Sequence, residues 1–119
     1  MRALLAMLLL VPLAGCADEE VAEHEVAVFY IELTGGSSTH QFEIASSSGY
    51  WRTDLMARAR ESVTYSAVGP DGARHNSTAG AGFPFEHSLR VESPAPGTWT
   101  LTVSARSVVD GTLRILVPD

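Results

Sequence analysis

The chain has 119 residues, a net charge of −6 at pH 7 and one cysteine. This length allows one domain with a modest core, and a single cysteine excludes an intrachain disulfide. The eight basic residues form no cluster, so the basic surface typical of a nucleic-acid-binding protein is absent. The sequence also contains no phosphate loop, dinucleotide fingerprint or GxSxG nucleophile motif, and we therefore predict no cofactor and no enzymatic activity.

The first fifteen residues have the organisation of an export signal. Arg2 makes the start of the chain positive, and an apolar run follows from residue 3 to residue 13, interrupted only by Pro12. Eleven residues are too few to span a bilayer as a helix, which requires about 20. The run has the length expected for the hydrophobic region of a signal peptide. We therefore predict that residues 1–15 are a signal peptide with a helical apolar region.

The four residues Leu13-Ala14-Gly15-Cys16 end this segment and resemble the lipobox of bacterial lipoproteins. The resemblance implies that the Cys16 sulfur receives a diacylglyceryl group, that the chain is cut between Gly15 and Cys16, and that a fatty acid such as palmitate is added to the new amine. The alternative is an ordinary signal peptide followed by an unrelated cysteine. Lipidation implies a cell-envelope location. Because Ala17 rather than Asp follows the cysteine, the resemblance implies the outer membrane in an organism with two membranes. In an organism with one membrane, it implies the outer face of the plasma membrane.

Residues 16–25 are predicted to form a lipidated tether, and residues 26–119 the folded domain. Five carboxylates lie between residues 17 and 25. Such a run of like charges next to an anchor is typical of a solvated spacer, which anionic lipid head groups would repel.

Beyond the tether, apolar residues recur with a period of two, which indicates β-strands. The alternation predicts strands over residues 25–34, 40–45, 53–60, 62–68, 85–92, 98–106 and 112–117. Segment 53–60 could also form a short helix, and segment 74–82 a loop or weak edge strand. Segment 25–34 has apolar residues on both faces, which favours a central strand or one between two layers. Turns are predicted at residues 35–38, 69–72, 93–97 and 110–111.

This pattern predicts a single all-β domain, a small β-sandwich of about seven to eight antiparallel strands with a jelly-roll or immunoglobulin-like arrangement. Residues 93–117, SPAPGTWTLTVSARSVVDGTLRILV, resemble the closing hairpin of the P domain of proprotein convertases and of bacterial pre-peptidase C-terminal domains. Residues 63–72, VTYSAVGPDG, resemble an earlier strand and turn of the latter. The resemblance implies an accessory β-sandwich module. The chain lacks the acidic calcium-binding cluster of many such modules.

Two sets of residues are candidate sites. Tyr50, Trp51 and Arg52 follow a Ser/Gly segment, and an aromatic pair in a loop can stack on a sugar or a peptide. The alternative is that Trp51 folds back to cap the sandwich. His40 and His87 both lie in predicted strands and could meet across a sheet, although none of the four histidines forms a local metal-ligand pair.

The leading functional prediction is a membrane-anchored lipoprotein whose β-sandwich acts as a binding or structural accessory module. Its predicted partners are membrane lipid and an envelope protein or glycan, without nucleic acid and without a metal. Two alternatives follow from the candidate sites. One is a metal-binding or hydrolytic enzyme that uses His40, His87 and nearby carboxylates, and the other is an inhibitor or partner subunit that acts through the Tyr50–Trp51 loop.

Overall fold

The computed structural model describes residues 22–119, and this part of the chain is all-β. The signal peptide, the lipobox with Cys16 and most of the acidic tether lie outside the described residues. Among residues 22–119 no helix is long and apolar enough to cross a bilayer. The seven strands are β1 (Glu23–Ile44), β2 (Tyr50–Ala59), β3 (Val63–Val68), β4 (Arg74–Ala79), β5 (Gly82–His87), β6 (Arg90–Glu92) and β7 (Gly97–Pro118).

All strand pairs are antiparallel, and the long strand β7 is the centre of the sheet. One edge of β7 pairs with β1 over almost its whole length. The other edge pairs first with β3, through residues 100–105, and then with β2, through residues 109–116. Strand β4 extends the sheet beyond β3, and β5 and β6 extend it beyond β2. Strand β1 begins at Glu23, so residues 23–25, which the sequence assigned to the tether, belong to the sheet.

The sheet folds back on itself to make two layers. Arg52 of β2 pairs with Leu116 of β7. Trp99 also lies in β7, 17 residues before Leu116, and these two residues would be about 55 Å apart if β7 were straight. Yet the rings of Trp51 and Trp99 are 5.2 Å apart. The first layer therefore contains residues 23–34 of β1, residues 109–118 of β7, and β2, β5 and β6. The second layer contains residues 36–44 of β1, residues 97–105 of β7, and β3 and β4. The predicted β-sandwich is confirmed.

The bend between the two layers lies in the two long strands, β1 and β7, and falls between the end of β2 and the start of β3 on the other side of β7. In β1 it coincides with a register shift between Thr34 and Gly36, where Gly35 and Gly36 have φ values of 101° and 111°. These values are readily adopted only by glycine. The predicted turn at residues 35–38 is wrong, because the glycines form a bulge that bends β1 without reversing it. β1 continues to Ile44 on the same partner strand.

The predicted hairpin at Asp110-Gly111 is also wrong. Gly111 lies within β7, paired with Ile31 on one side and Ala57 on the other. A Cβ atom at this position would lie 2.4 Å from the Met56 carbonyl oxygen and 2.5 Å from the Ala57 Cβ. The glycine therefore permits close approach of two strands, which is a second reason for glycine inside a β-strand.

Other local predictions are confirmed with shifted ends. The turn after β3 is present, with the Gly72 amide donating to the Gly69 carbonyl at 3.0 Å and Gly72 at a φ of 87°. Segment 53–60 is a strand and belongs to β2, while segment 74–82 contributes the edge strand β4. The strand predicted at residues 85–92 is divided into β5 and β6.

The core lies between the two layers and is centred on aromatic rings. Trp51 stacks edge-on against Phe42 at 5.1 Å and against Trp99 at 5.2 Å. Trp99 comes from the second layer and Trp51 from the first, so this contact joins them. Val63, Leu101, Leu113 and Ile115 complete the centre and are fully buried.

Candidate functional site

The residues predicted as a binding loop lie in strand β2. Tyr50 and Trp51 are the first two residues of that strand, and the Trp51 ring is completely buried. The prediction that they occupy an exposed loop is wrong, because both residues pair with β6 and the Trp51 ring packs between the layers against Phe42 and Trp99. The alternative, in which Trp51 folds into the sandwich, agrees with the structure. Trp51 has no surface with which to bind a ligand, so a role as an inhibitor through this pair has no structural support.

Arg52 and Tyr50 instead hold the beginning of the folded domain. The Tyr50 hydroxyl donates to the Glu23 carboxylate, and the Arg52 guanidinium donates to the same group through Nε at 3.0 Å and Nη2 at 2.8 Å. Arg90 stacks over the Tyr50 ring, 3.7 Å from its centre. The hydrogen bonds from Arg52 lower the pKa of Glu23 below its ordinary value, with a further contribution from Tyr50. This cluster fixes the first residue of β1 against β2.

We expect Glu23→Gln to lower the free energy of unfolding by about 1–2 kcal/mol at pH 7, because a neutral amide replaces the carboxylate that pairs with the Arg52 guanidinium. A carboxyl whose pKa is lowered in the folded state adds stability above its unfolded pKa, and this contribution is lost as the pH falls through the folded value. The difference between wild type and Glu23→Gln should therefore be constant above the ordinary pKa of a glutamate, about 4.3, and should shrink as the pH falls below it. Urea unfolding across pH provides the measurement, and a constant difference down to pH 3 would contradict it.

The two candidate histidines make separate contacts. His40 lies in the second-layer part of β1, where its ring packs 4.6 Å from that of Phe29 and its Nε2 is 2.9 Å from the Ser38 hydroxyl. His87 lies in β5, in the first layer, where its ring nitrogens contact the hydroxyls of Tyr65 and Ser77. Within residues 22–119 no three His, Cys, Asp or Glu side chains converge as metal ligands. The metal-binding or hydrolytic alternative thus has no geometric support.

His87 instead belongs to a polar network between the layers. Its Nδ1 is 2.6 Å from the Tyr65 hydroxyl, which is 2.9 Å from the hydroxyl of the fully buried Thr53. Thr53 also accepts a hydrogen bond from the Leu89 amide at 2.8 Å. Burial raises the pKa of Tyr65 to about 12. Every polar atom at Thr53 has a partner, so we assign this network to joining β2, β3 and β5.

A groove with an exposed aromatic residue lies on the outer face of the first layer. Tyr30 of β1, Thr112 of β7 and Met56 of β2 are directly opposite one another in adjacent strands. Tyr30 is 81% exposed and Met56 45% exposed. Pro84 of β5 closes the far side, and the groove encloses about 420 Å³. An aromatic ring and a thioether thus face solvent in one row across the sheet.

A second row of the groove is charged. Glu32, Asp110 and Arg58 are opposite one another in β1, β7 and β2. Arg58 forms no ion pair within 4.0 Å with the described carboxylates, so its guanidinium is available to a ligand. Beyond Arg58, the exposed side chains of Phe83 and Val108 line an adjoining recess. We call these two rows, with Pro84 and Phe83, the Tyr30 groove.

The Tyr30 groove was not predicted from the sequence, although a signal was present. Tyr30 alternates in phase with Glu32, whereas Ile31 and Leu33 have the opposite phase. A glutamate in phase with an aromatic residue indicates that their shared face is in contact with solvent. The partners of Tyr30 could not be identified, because Met56 and Asp110 come from distant parts of the chain.

No protein-family profile matches the chain, and no curated protein does either. Solved structures do match it. The lipase BlEst2 of Bacillus licheniformis in its propeptide form aligns with 77% of this chain at 18% identity and a TM-score of 0.62, and the chain spans only 21% of the lipase. The CBM36-1 domain of a multidomain xylanase, from the hindgut metagenome of Trinervitermes trinervoides, aligns with 85% of this chain and 92% of its own length, at 10% identity and a TM-score of 0.51. The shared feature is the β-sandwich fold.

These likenesses confirm the predicted fold class. At identities of 10–18% they show the fold alone. The pre-peptidase C-terminal domain of a Bacillus anthracis collagenase also aligns, over 77% of this chain and 89% of its own length, at 17% identity and a TM-score of 0.47. That superposition is too loose to support a specific relationship, and the resemblance to this family stays a prediction.

Proposed function

We propose that the domain is a non-catalytic module that binds a neutral glycan chain in the Tyr30 groove. The observation that carries this proposal is the exposed Tyr30 ring on an open sheet face beside a groove of about 420 Å³. An exposed aromatic side chain of this kind is costly to leave in water and offers a flat apolar face. The sandwich fold shared with a carbohydrate-binding domain of a xylanase supports the same proposal.

The chemistry of the groove suits a sugar better than a peptide or a charged ligand. The apolar face of a pyranose ring stacks on Tyr30 and Met56, while its hydroxyls donate to Glu32 and Asp110 and accept from Arg58. Glu32 and Asp110 are balanced by Arg58 and by Arg60, which lines the adjoining recess, so the groove has no net positive charge to attract a phosphate-bearing or uronic-acid ligand.

We also propose that the module is held at the cell envelope by lipid on Cys16. This proposal depends on the lipobox resemblance of residues 13–16 together with the single cysteine in the chain. Two acyl chains suffice for stable anchoring, since each buried CH₂ group contributes about 0.8 kcal/mol. With the fold beginning at Glu23, six residues separate it from the cysteine. Such a spacer reaches at most about 20 Å when extended.

Replacing Tyr30 with alanine should weaken glycan binding about tenfold or more, because the stacking contact is lost. The probes are soluble xylan and mixed-linkage β-glucan embedded in native gels, where retardation of the full-length protein reports affinity. The core is unaffected because the Tyr30 side chain lies on the outer face.

Tyr30→Phe is the matched control, since it keeps the ring and should retain most of the retardation. Phe83→Ala tests whether the bound chain extends into the adjoining recess. If neither polysaccharide retards the wild-type protein, or if Tyr30→Ala is retarded as strongly as wild type, the groove is not a glycan site.

A further inference from the structure

Strand β1 combines two features that conflict in a single copy of the chain. Its segment from residue 27 to residue 34 has apolar residues on both faces, a pattern typical of a strand with neighbours on both sides. In the structure β1 lies at the edge of the sheet, and within residues 22–119 it is hydrogen-bonded to β7 alone. The sequence-based prediction of a central position is therefore wrong for the isolated chain.

Between its two register shifts, at Glu25/Ala27 and Thr34/Gly36, the free edge of β1 has few of the features that normally prevent strand addition. Native edge strands are usually short or interrupted by proline or lysine. Residues 27–34 contain neither of these and no glycine, and Glu32 is the only charged residue among them. Every second residue of an edge strand directs its backbone N–H and C=O groups away from the sheet. Val28, 37% exposed, and Tyr30 lie along this edge on the outer face.

We propose that two copies of the chain associate through this edge, with residues 27–31 of β1 pairing antiparallel about a two-fold axis at Phe29. This register places Val28 of one protomer opposite Tyr30 of its partner. The two-fold axis repeats this pair, so the interface contains two Val28–Tyr30 pairs. Aromatic and β-branched side chains directly opposite each other are favourable cross-strand pairs. The same edge serves both copies, as a two-fold interface requires.

The charges along β1 favour this register over its neighbours. With Phe29 on the axis, Glu32 lies opposite Val26 and not opposite a second carboxylate. An axis halfway between Val28 and Phe29 would place Glu25 opposite Glu32 and would also set outward side chains against inward ones. The proposed pairing joins the two first layers into one sheet, whose outer face presents both Tyr30 grooves. The dimer itself does not depend on the proposed glycan.

Sedimentation velocity of the full-length chain in density-matched detergent tests the dimer. Wild type should sediment as a dimer that dissociates on dilution, whereas Val28→Glu should raise the dissociation constant at least tenfold by placing a carboxylate in each cross-strand pair. Met56→Glu is the matched control, because Met56 is exposed on the same face but lies in β2, away from the edge. That variant should remain dimeric.

A second measurement tests the register. Chains carrying Val28→Cys and chains carrying Tyr30→Cys, each in a Cys16→Ser background, are mixed and oxidised. The mixed disulfide should exceed either symmetric one at least tenfold. A monomeric wild type, a Val28→Glu variant that dimerises as tightly as wild type, or equal yields of the three disulfides would overturn the proposal.

Polysaccharide retardation is measured separately. Val28→Glu should keep polysaccharide binding and Met56→Glu should lose it, so failure of the dimer is distinguishable from failure of the glycan site.

Discussion

Trp99→Ala is expected to destabilise the domain by about 3–5 kcal/mol, the range found when a large buried aromatic residue is truncated. The Trp99 ring is 1% exposed, packs edge-on against Trp51, and donates from Nε1 to the Ala95 carbonyl at 2.8 Å. Gly69 also lies against the ring, where a Cβ atom would come within 2.8 Å of it. A domain of this size has a total stability of about 5–15 kcal/mol, so the loss is a large share of it.

Urea unfolding followed by circular dichroism measures this loss, with Tyr30→Ala as a control that also removes an aromatic ring. Since Tyr30 lies outside the core, its removal should change the free energy of unfolding by less than about 0.5 kcal/mol. Near-wild-type stability of Trp99→Ala would show that the two layers are not held together by the Trp51–Trp99 contact.

The second large effect is expected for Cys16→Ser. The thiolate is the nucleophile in the attachment of lipid, and a serine hydroxyl does not replace it at neutral pH. The protein should leave the membrane fraction or accumulate as an uncut precursor. Fractionation with mass spectrometry of the N-terminus distinguishes these results from a lipidated product.

Ala17→Ser is the matched control for the anchor, because it changes the adjacent residue and leaves the thiol in place. It should remain lipidated and membrane-bound. If Cys16→Ser is cut normally and stays in the membrane fraction, lipid on Cys16 is not the anchor.

The strand content of the fold was largely predictable, while its connections were not. The alternation from Trp99 to Ala105 correctly identified a strand, and the Gly69–Gly72 turn followed from local turn chemistry. Gly35-Gly36 and Asp110-Gly111 have the same local composition as reversing turns, yet both lie inside long strands. Their conformation is fixed by strands far away in the chain, and a local pattern contains no information about them.

The candidate site shows the same division between local and distant information. The predicted aromatic pair, Tyr50 and Trp51, follows serine and glycine, and nothing adjacent indicates that it pairs with β6 and is buried. The most exposed aromatic residue of the described chain is Tyr30, in a segment whose apolar composition suggested burial. Exposure depends on which strands lie on either side, and therefore on the topology. The prediction that His40 and His87 could meet across a sheet was wrong for the same reason, since the topology places them in different layers.

The shared long strands have a consequence for the order of folding. Glu23 pairs with Pro118, so the first strand of the described residues has its only partner among them in the last strand, β7. Contacts between residues so far apart in sequence give a high contact order, which is associated with slow folding. Neither layer can form from an incomplete chain, because β7 contributes the central strand of both. A nascent or truncated chain lacking β7 should therefore remain unfolded, and the domain should gain its structure in a single cooperative step once β7 is available.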